Sequence, residues 1–104
     1  MGCMVIACYR ARAGKDAALL ALVREHVPAL RARKLATERA ALAMRAKDGT
    51  IVEVFEWVSR DAIDRAHTDT EVQALWQRFG EACEYRKLAD LAESREEFAH
   101  FEPL

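Results

Sequence analysis

The spacing of apolar residues changes along the chain and predicts an alternation of strands and helices. Residues Met4 to Tyr9 form a nearly unbroken apolar run, which is typical of a central strand covered on both faces. From Asp16 the apolar residues adopt helical spacing, on a stripe that includes His26. Pro28 lies inside this segment and lacks the backbone N–H that a helix uses. We therefore expect the helix to bend after Arg24 or to break.

A β-hairpin is predicted on either side of Asp48-Gly49, a dipeptide suited to a two-residue type I′ turn. Its strands run from Ala40 to Ala46 and from Ile51 to Val58. A two-residue loop makes Lys47 face Thr50, and the alternation of side chains then assigns each residue to a face. One face is predicted to carry Leu42, Met44, Ala46, Ile51, Glu53, Phe55 and Trp57. The other face is predicted to carry Ala43, Arg45, Val52, Val54, Glu56 and Val58. Both sets are largely apolar, so both faces of the sheet require a cover.

The second half of the chain predicts two helices and a last strand. Ser59 is a suitable N-cap for a helix that ends at His67. The polar stretch Thr68-Asp69-Thr70 interrupts it and begins a second helix, for which Gly80 is a suitable end. A short strand is predicted from Ala82 to Leu88. Three apolar residues, spaced three apart, follow in the tail: Phe98, Phe101 and Leu104.

The order of these elements is βαββαβ, which predicts a single α+β domain over residues 1–104 with a ferredoxin-like arrangement. Right-handed crossovers place both helical layers on one face of a four-stranded antiparallel sheet. The opposite face is then apolar and uncovered, a condition that monomers rarely tolerate. We therefore expect a homodimer in which two subunits pack sheet against sheet.

Charge and cysteine content narrow the classes of partner and the cellular setting. Sixteen basic and seventeen acidic residues leave a net charge of -1, which argues against binding nucleic acid. The sequence also has no basic cluster of the kind that predicts contact with a membrane surface. The three cysteines are odd in number and fit no metal-ligand spacing, so we expect a reduced, cytoplasmic setting and no metal. The amino terminus lacks the charged start and the length of a secretory signal.

Several segments in this order resemble the dimeric α+β barrel superfamily and, within it, the antibiotic-biosynthesis-monooxygenase-like domains. The matching segments are Val52-Glu-Val-Phe-Glu-Trp57, Ser59-Arg-Asp-Ala62, Ala66-His67, Glu71-Val72 and the aromatic residues Trp76 and Phe79. The resemblance implies a homodimeric barrel. Members of the superfamily include monooxygenases that oxidise quinols or polycyclic phenols without metal or flavin, enzymes that degrade haem, and proteins with no assigned activity. Gln77 stands where the haem-degrading branch has its ligand histidine, so no cofactor is expected.

Three polar residues are candidates for catalysis, and each has a simpler structural explanation. His67 suits a pocket base because its ordinary pKa lies near working pH, but a histidine is also favourable at a helix C-terminus. His26 lies in the apolar stripe of the first helix, either lining a cavity or as a hydrogen-bonded core residue. Glu53 shares a strand face with large apolar residues, either in a pocket or at a strand edge where it reaches water.

Aromatic residues are the candidates for contact with a substrate. Five of them either line a flat pocket between sheet and helices or belong to an ordinary core: Trp57, Phe55, Trp76, Phe79 and Tyr85. Two functions follow from these alternatives. The first is a cofactor-independent monooxygenase for a small aromatic or quinol-type substrate. The second is a non-catalytic homodimer that binds a small apolar ligand or another protein, and the sequence leaves open whether the chain is an enzyme.

Overall fold

In the computed structural model, which describes residues 2–104, three helices pack against an antiparallel sheet of five strands. The strands are β1 (Cys3–Ala11), β2 (Leu42–Arg45), β3 (Ile51–Trp57), β4 (Cys83–Arg86) and β5 (Glu102–Pro103). The helices are α1 (Asp16–Ala32), α2 (Arg60–Ala66) and α3 (Thr70–Ala82). Two 3-10 turns, Leu88–Asp90 and Ala92–Arg95, follow β4. The predicted α+β class is confirmed, but the sheet has five strands and not the predicted four.

The strand order is β4-β1-β3-β2-β5, so β1 and β3 occupy the centre of the sheet. Strand β1 pairs with β3 along its length, from Cys3 opposite Trp57 to Tyr9 opposite Ile51. One face of these two strands packs against the helices, and we call it the helix face. Its residues are Cys3, Val5, Ala7, Tyr9, Ile51, Glu53, Phe55 and Trp57. We call the opposite side of the sheet the far face.

The structure corrects the predicted hairpin register by one residue. Arg45 pairs with Ile51, and the amide of Ala46 donates a hydrogen bond to the carbonyl oxygen of Thr50 (2.8 Å). The loop between those two residues therefore has three members rather than two. Its last residue, Gly49, has φ 93°, a left-handed conformation that favours glycine and suits a three-residue hairpin loop.

This one-residue difference moves every side chain of β2 to the other face, because side chains alternate along a strand. The predicted grouping of Leu42, Met44 and Ala46 with Ile51 and Trp57 is wrong. Leu42 and Met44 pair with Val54 and Val52 instead, and so lie on the far face. Ala43 pairs with Glu53 and therefore lies on the helix face.

Helix α1 runs unbroken from Asp16 to Ala32, so the expected break near Pro28 is wrong. The ring of Pro28 leaves the carbonyl of Arg24 without its helical donor. Buried residues on both sides of the proline hold the helix against the sheet, where Val27 and Leu30 pack with Phe55 in one cluster. Apolar burial of this kind offsets the loss of a single hydrogen bond.

The far face is divided into a covered part and an open part. The chain after β4 crosses it, and Leu91 packs there against Cys8 and Val52. The remaining part exposes large apolar side chains in the single chain: Met4 is 53%, Ile6 50% and Leu42 59% exposed. The apolar far face was thus predictable from the sequence, but the segment after β4 that covers part of it was not. None of the helices described between residues 2 and 104 is long and apolar enough to cross a membrane.

Candidate functional site

His26 is held on the buried stripe of α1, one turn after Leu22 and directly before Val27. Its ring lies between two phenylalanine rings, with centroids 5.4 Å from Phe55 on β3 and 5.0 Å from Phe79 on α3. Both contacts are edge-to-face, an orientation that aromatic rings favour. Sheet and helices therefore fix the imidazole from two sides, and its two nitrogens need partners within the protein.

Those partners form a buried chain of hydrogen bonds. The Nδ1 atom of His26 lies 2.9 Å from Oε1 of Glu53, and the hydroxyl of Tyr9 donates to the same oxygen at 2.8 Å. The indole N–H of Trp76 donates to Nε2 of His26 at 3.0 Å. Tyr9, His26 and Glu53 are only 3%, 4% and 2% exposed. Trp76 is half-buried and closes the chain at one end, and we call these four residues the buried network.

The bonding pattern fixes the tautomer of His26. An indole N–H only donates, so Nε2 must carry a lone pair. The single proton of the neutral ring is then on Nδ1, from where it donates to Glu53. The pair is thus a charge-assisted hydrogen bond between a neutral imidazole and a carboxylate, and not an ion pair. Such an arrangement orients a histidine base through its far nitrogen.

Glu53 lies at the centre of the network because β3 is an inner strand. The expectation that it reaches water at a strand edge is wrong, since its side chain is 2% exposed. Burial and the neighbouring carboxylate of Glu53 raise the pKa of the Tyr9 phenol far above its ordinary value. Tyr9 therefore stays protonated, and stays a hydrogen-bond donor, at pH values where a free tyrosine begins to ionise.

A cavity of about 240 Å³ lies beside the network, between the helix face and helices α1 and α3. We call it the aromatic pocket. Its lining residues are Val5, Ala7, Tyr9, His26, Phe55, Trp57, Trp76, Phe79 and Tyr85. Ligand cavities usually exceed about 300 Å³, so this one suits a molecule of one or two rings. The five aromatic residues singled out from the sequence all line it, together with His26.

The structure does not bring His67 into this pocket. His67 follows α2 as its C-cap residue and is exposed. Its Nδ1–H donates to the carbonyl of Ile63 at 2.8 Å, which is the simpler of the two explanations that the sequence allowed. Its ring meets that of Trp76 edge-to-face, with centroids 5.2 Å apart, in a surface cleft that Tyr9, His26 and Glu53 do not line. His67 and His26 thus lie near the same tryptophan but in different surroundings.

Tyr9 was not among the predicted site residues and was placed only at the end of the first strand. The signal was present in the alternation of β1, where residue 9 lies on the same face as residues 5 and 7. Tyr9 pairs with Ile51, two residues from Glu53, so its long side chain reaches the carboxylate diagonally. Finding it required the register between β1 and β3, which no local pattern provides.

Within residues 2–104, no group of three or more His, Cys, Asp or Glu side chains is placed to hold a metal ion. No family model, no curated protein and no solved structure matches this chain. The resemblance described in the sequence analysis therefore stays a prediction, and the buried network and the pocket carry the argument about function.

Proposed function

We propose that this chain is a cofactor-independent monooxygenase of the antibiotic-biosynthesis-monooxygenase-like kind, acting on a small phenol or quinol in the aromatic pocket. The observation that supports this proposal is the position of His26, which lines an apolar pocket while Glu53 holds its Nδ1–H. Such a histidine is oriented to take a proton at Nε2. We place the base at His26 rather than His67, because His67 lies outside the pocket.

The proposed reaction begins when a phenol enters and replaces the indole of Trp76 as the partner of Nε2. His26 takes the phenol proton, and the imidazolium and the indole N–H are then two donors for the phenolate oxygen. The electron-rich anion reacts with dioxygen. One oxygen atom enters the substrate, and the other leaves as water with two hydrogens from the substrate, so the substrate supplies both electrons.

A ferredoxin-like protomer that dimerises through its far face is part of this proposal. The order β4-β1-β3-β2 and the helices on one face support the protomer, with β5 as an addition at the edge. The open part of the far face supports the dimer, because Met4, Ile6 and Leu42 expose apolar surface together there. A second copy provides an identical apolar surface, as a two-fold interface requires.

A non-catalytic ligand-binding dimer is the second candidate, and one observation favours it. The lone pair of His26 Nε2 is already occupied by the indole of Trp76. A ligand that leaves this hydrogen bond intact meets a wall that is almost entirely apolar and has no free base. Such a protein would bind an aromatic molecule without changing it.

Tryptophan fluorescence and an oxygen electrode separate the two candidates. A panel of one- and two-ring phenols and quinols is first screened for quenching of Trp57 and Trp76, which both line the pocket. Oxygen consumption is then measured with each ligand that binds. We expect binding together with oxygen uptake. Binding without uptake favours the second candidate, and the absence of binding by the whole panel contradicts both.

A pair of matched variants tests the assigned base. His26→Gln keeps a side chain that donates and accepts hydrogen bonds but removes the titrating ring, so turnover should fall about 100-fold to 10,000-fold. His67→Gln makes the same change outside the pocket and should keep turnover. Equal turnover in wild type and His26→Gln, with the ligand still bound, would remove His26 from the mechanism.

A further inference from the structure

Glu53 borders a second cavity on the side away from the aromatic pocket. This cavity, about 390 Å³ in volume, lies between α1 and β2, and we call it the α1–β2 groove. Its lining residues are Val23, Arg24, Val27, Pro28, Arg31, Ala40, Ala41, Leu42, Ala43, Glu53 and Leu104. Of the described residues that line it, Glu53 is the only one with a carboxylate side chain. The network thus separates two cavities, with His26 lining one and Glu53 lining the other.

The two carboxylate oxygens of Glu53 differ in their partners. Oε1 accepts hydrogen bonds from both Tyr9 and His26, whereas Oε2 accepts none from residues 2–104. Among the described residues, the only side-chain oxygen that is fully buried without a partner is Oγ1 of Thr50, so Oε2 of Glu53 keeps a small accessible surface. Because Glu53 lines the groove and not the aromatic pocket, water in the groove is the donor that Oε2 can reach.

The groove suits water better than the aromatic pocket does. Arg24 and Arg31 line it, and the guanidinium of Arg31 also binds the carbonyl oxygens of Thr37 (2.8 Å) and Arg39 (2.6 Å) at that end of α1. Water is stable in a cavity that is roomy and offers two to four polar partners. The aromatic pocket offers mainly hydrocarbon, so water there lacks such partners.

We propose that Glu53 exchanges protons with solvent through the α1–β2 groove, so that a proton leaves the site on the side opposite to the ligand. The use of this route in turnover rests on the proposed function, but the exchange itself does not. A proton taken from a phenol arrives at Nε2 of His26, the Nδ1 proton passes to Glu53, and Glu53 releases it to water in the groove. This step leaves phenolate, hydronium and a neutral His26 protonated at Nε2. When the second oxygen atom leaves as water, it takes the Nε2 proton, and a proton returns from the groove through Glu53 to Nδ1, which restores the starting tautomer.

Two alanines allow a matched test, because Glu53 pairs with Ala43 on β2 and with Ala7 on β1. Ala43 lines the groove and Ala7 lines the aromatic pocket. The same substitution by leucine therefore fills one cavity or the other beside the same carboxylate. Exchange of the His26 Nδ1–H with solvent is measured by NMR on ¹⁵N-histidine-labelled protein without ligand, and phenol binding is measured separately by fluorescence.

Ala43→Leu should slow this exchange at least about tenfold while phenol binding stays within about twofold of wild type. Ala7→Leu should weaken phenol binding and leave the exchange rate within about twofold. Ala43→Val, a smaller plug, should give an intermediate rate and serves if leucine overpacks the site. Slower exchange in Ala7→Leu alone, or equal rates in all variants, overturns the proposal. Neither result depends on oxygen consumption, so failure of this route is distinct from failure of the monooxygenase.

Discussion

The two faces of the sheet use similar apolar residues for different purposes. On the helix face, large rings surround a carboxylate, an imidazole and a phenol, each paired through the buried network. On the open part of the far face, Met4, Ile6 and Leu42 expose apolar side chains to solvent. Both faces come from the alternation of the same central strands. The difference between them is buried polarity on one side and exposed hydrocarbon on the other.

This difference predicts a separate role for each face of the sheet. Polar groups among aromatic rings are costly unless each is paired, so the network restricts the helix face to one arrangement. A surface of exposed aliphatic side chains does not fix a single arrangement of its residues. Covering it with another apolar surface lowers the free energy. We therefore expect ligand binding on the helix face and contact with a second copy on the far face. The following variants act on one face at a time.

The largest effect is expected for Glu53→Ala. This change leaves the Tyr9 hydroxyl and the His26 N–H buried without an acceptor, so the free energy of unfolding should fall by about 3–5 kcal/mol. Urea denaturation followed by tryptophan fluorescence measures it. Glu53→Gln keeps an acceptor oxygen at the same place and should lose about 1–2 kcal/mol. A loss below about 1 kcal/mol for the alanine variant would show that the network contributes little to stability.

The next largest effect is expected for Ile6→Asp on the far face, which tests the proposed dimer. Ile6→Asp places a charge at the centre of the open part, where it stays hydrated in a single chain but is buried in a sheet-on-sheet dimer. We expect association to weaken about a hundredfold or more, measured by sedimentation at micromolar concentrations. The Ile6→Asp variant should keep the circular dichroism spectrum of the wild-type protein, because the fold of the single chain is unchanged.

Phe98→Asp provides the control for Ile6→Asp. Phe98 is the most exposed large apolar residue described, and it lies in the segment after β4 rather than on the sheet. The control should associate as wild type does. Dissociation by Phe98→Asp but not by Ile6→Asp would place the contact on the carboxyl-terminal segment. A wild-type protein that sediments as a monomer would contradict the dimer altogether.

The helix face was largely predictable from the sequence. Alternation along β3 correctly grouped Glu53 with Phe55 and Trp57, and helical spacing correctly put His26 on the buried stripe of α1. Each assignment needs only a local period. The bond between His26 and Glu53 was not predictable, because it depends on how α1 packs across β3, and no pattern within one element describes that contact.

The far face was less predictable, for two physical reasons. The loop at Asp48-Gly49 admits two or three residues, and the choice changes the register of β2 and the face of Leu42 and Met44. Strand β5 has two residues, one of them Pro103, which carries no strand signal of its own. Its pairing with β2 follows from the path of the segment that Leu91 anchors on the far face.

A smaller effect is expected for Tyr9→Phe on the helix face. Glu53 loses one of its two donors while the ring that packs at 5.1 Å on Phe79 remains. The free energy of unfolding should fall by about 1–2 kcal/mol in urea denaturation. Tyr85→Phe is the control, because Tyr85 is exposed and its hydroxyl has no hydrogen bond within residues 2–104. Equal losses in the two variants would mean that the bond from Tyr9 to Glu53 adds no stability.

The smallest effect is expected for His67→Ala, which separates the two histidines near Trp76. His67 makes one hydrogen bond at an exposed helix end, so its removal should cost about 0.5–1 kcal/mol. His26→Ala removes a donor to Glu53, an acceptor from Trp76 and a ring between two phenylalanines, so its loss should be several times larger. Urea denaturation compares the two variants, and quenching of tryptophan by a bound phenol shows which one alters the pocket. If His67→Ala weakened phenol binding as much as His26→Ala, the pocket would extend past Trp76 to the surface, and His67 would again be a candidate base.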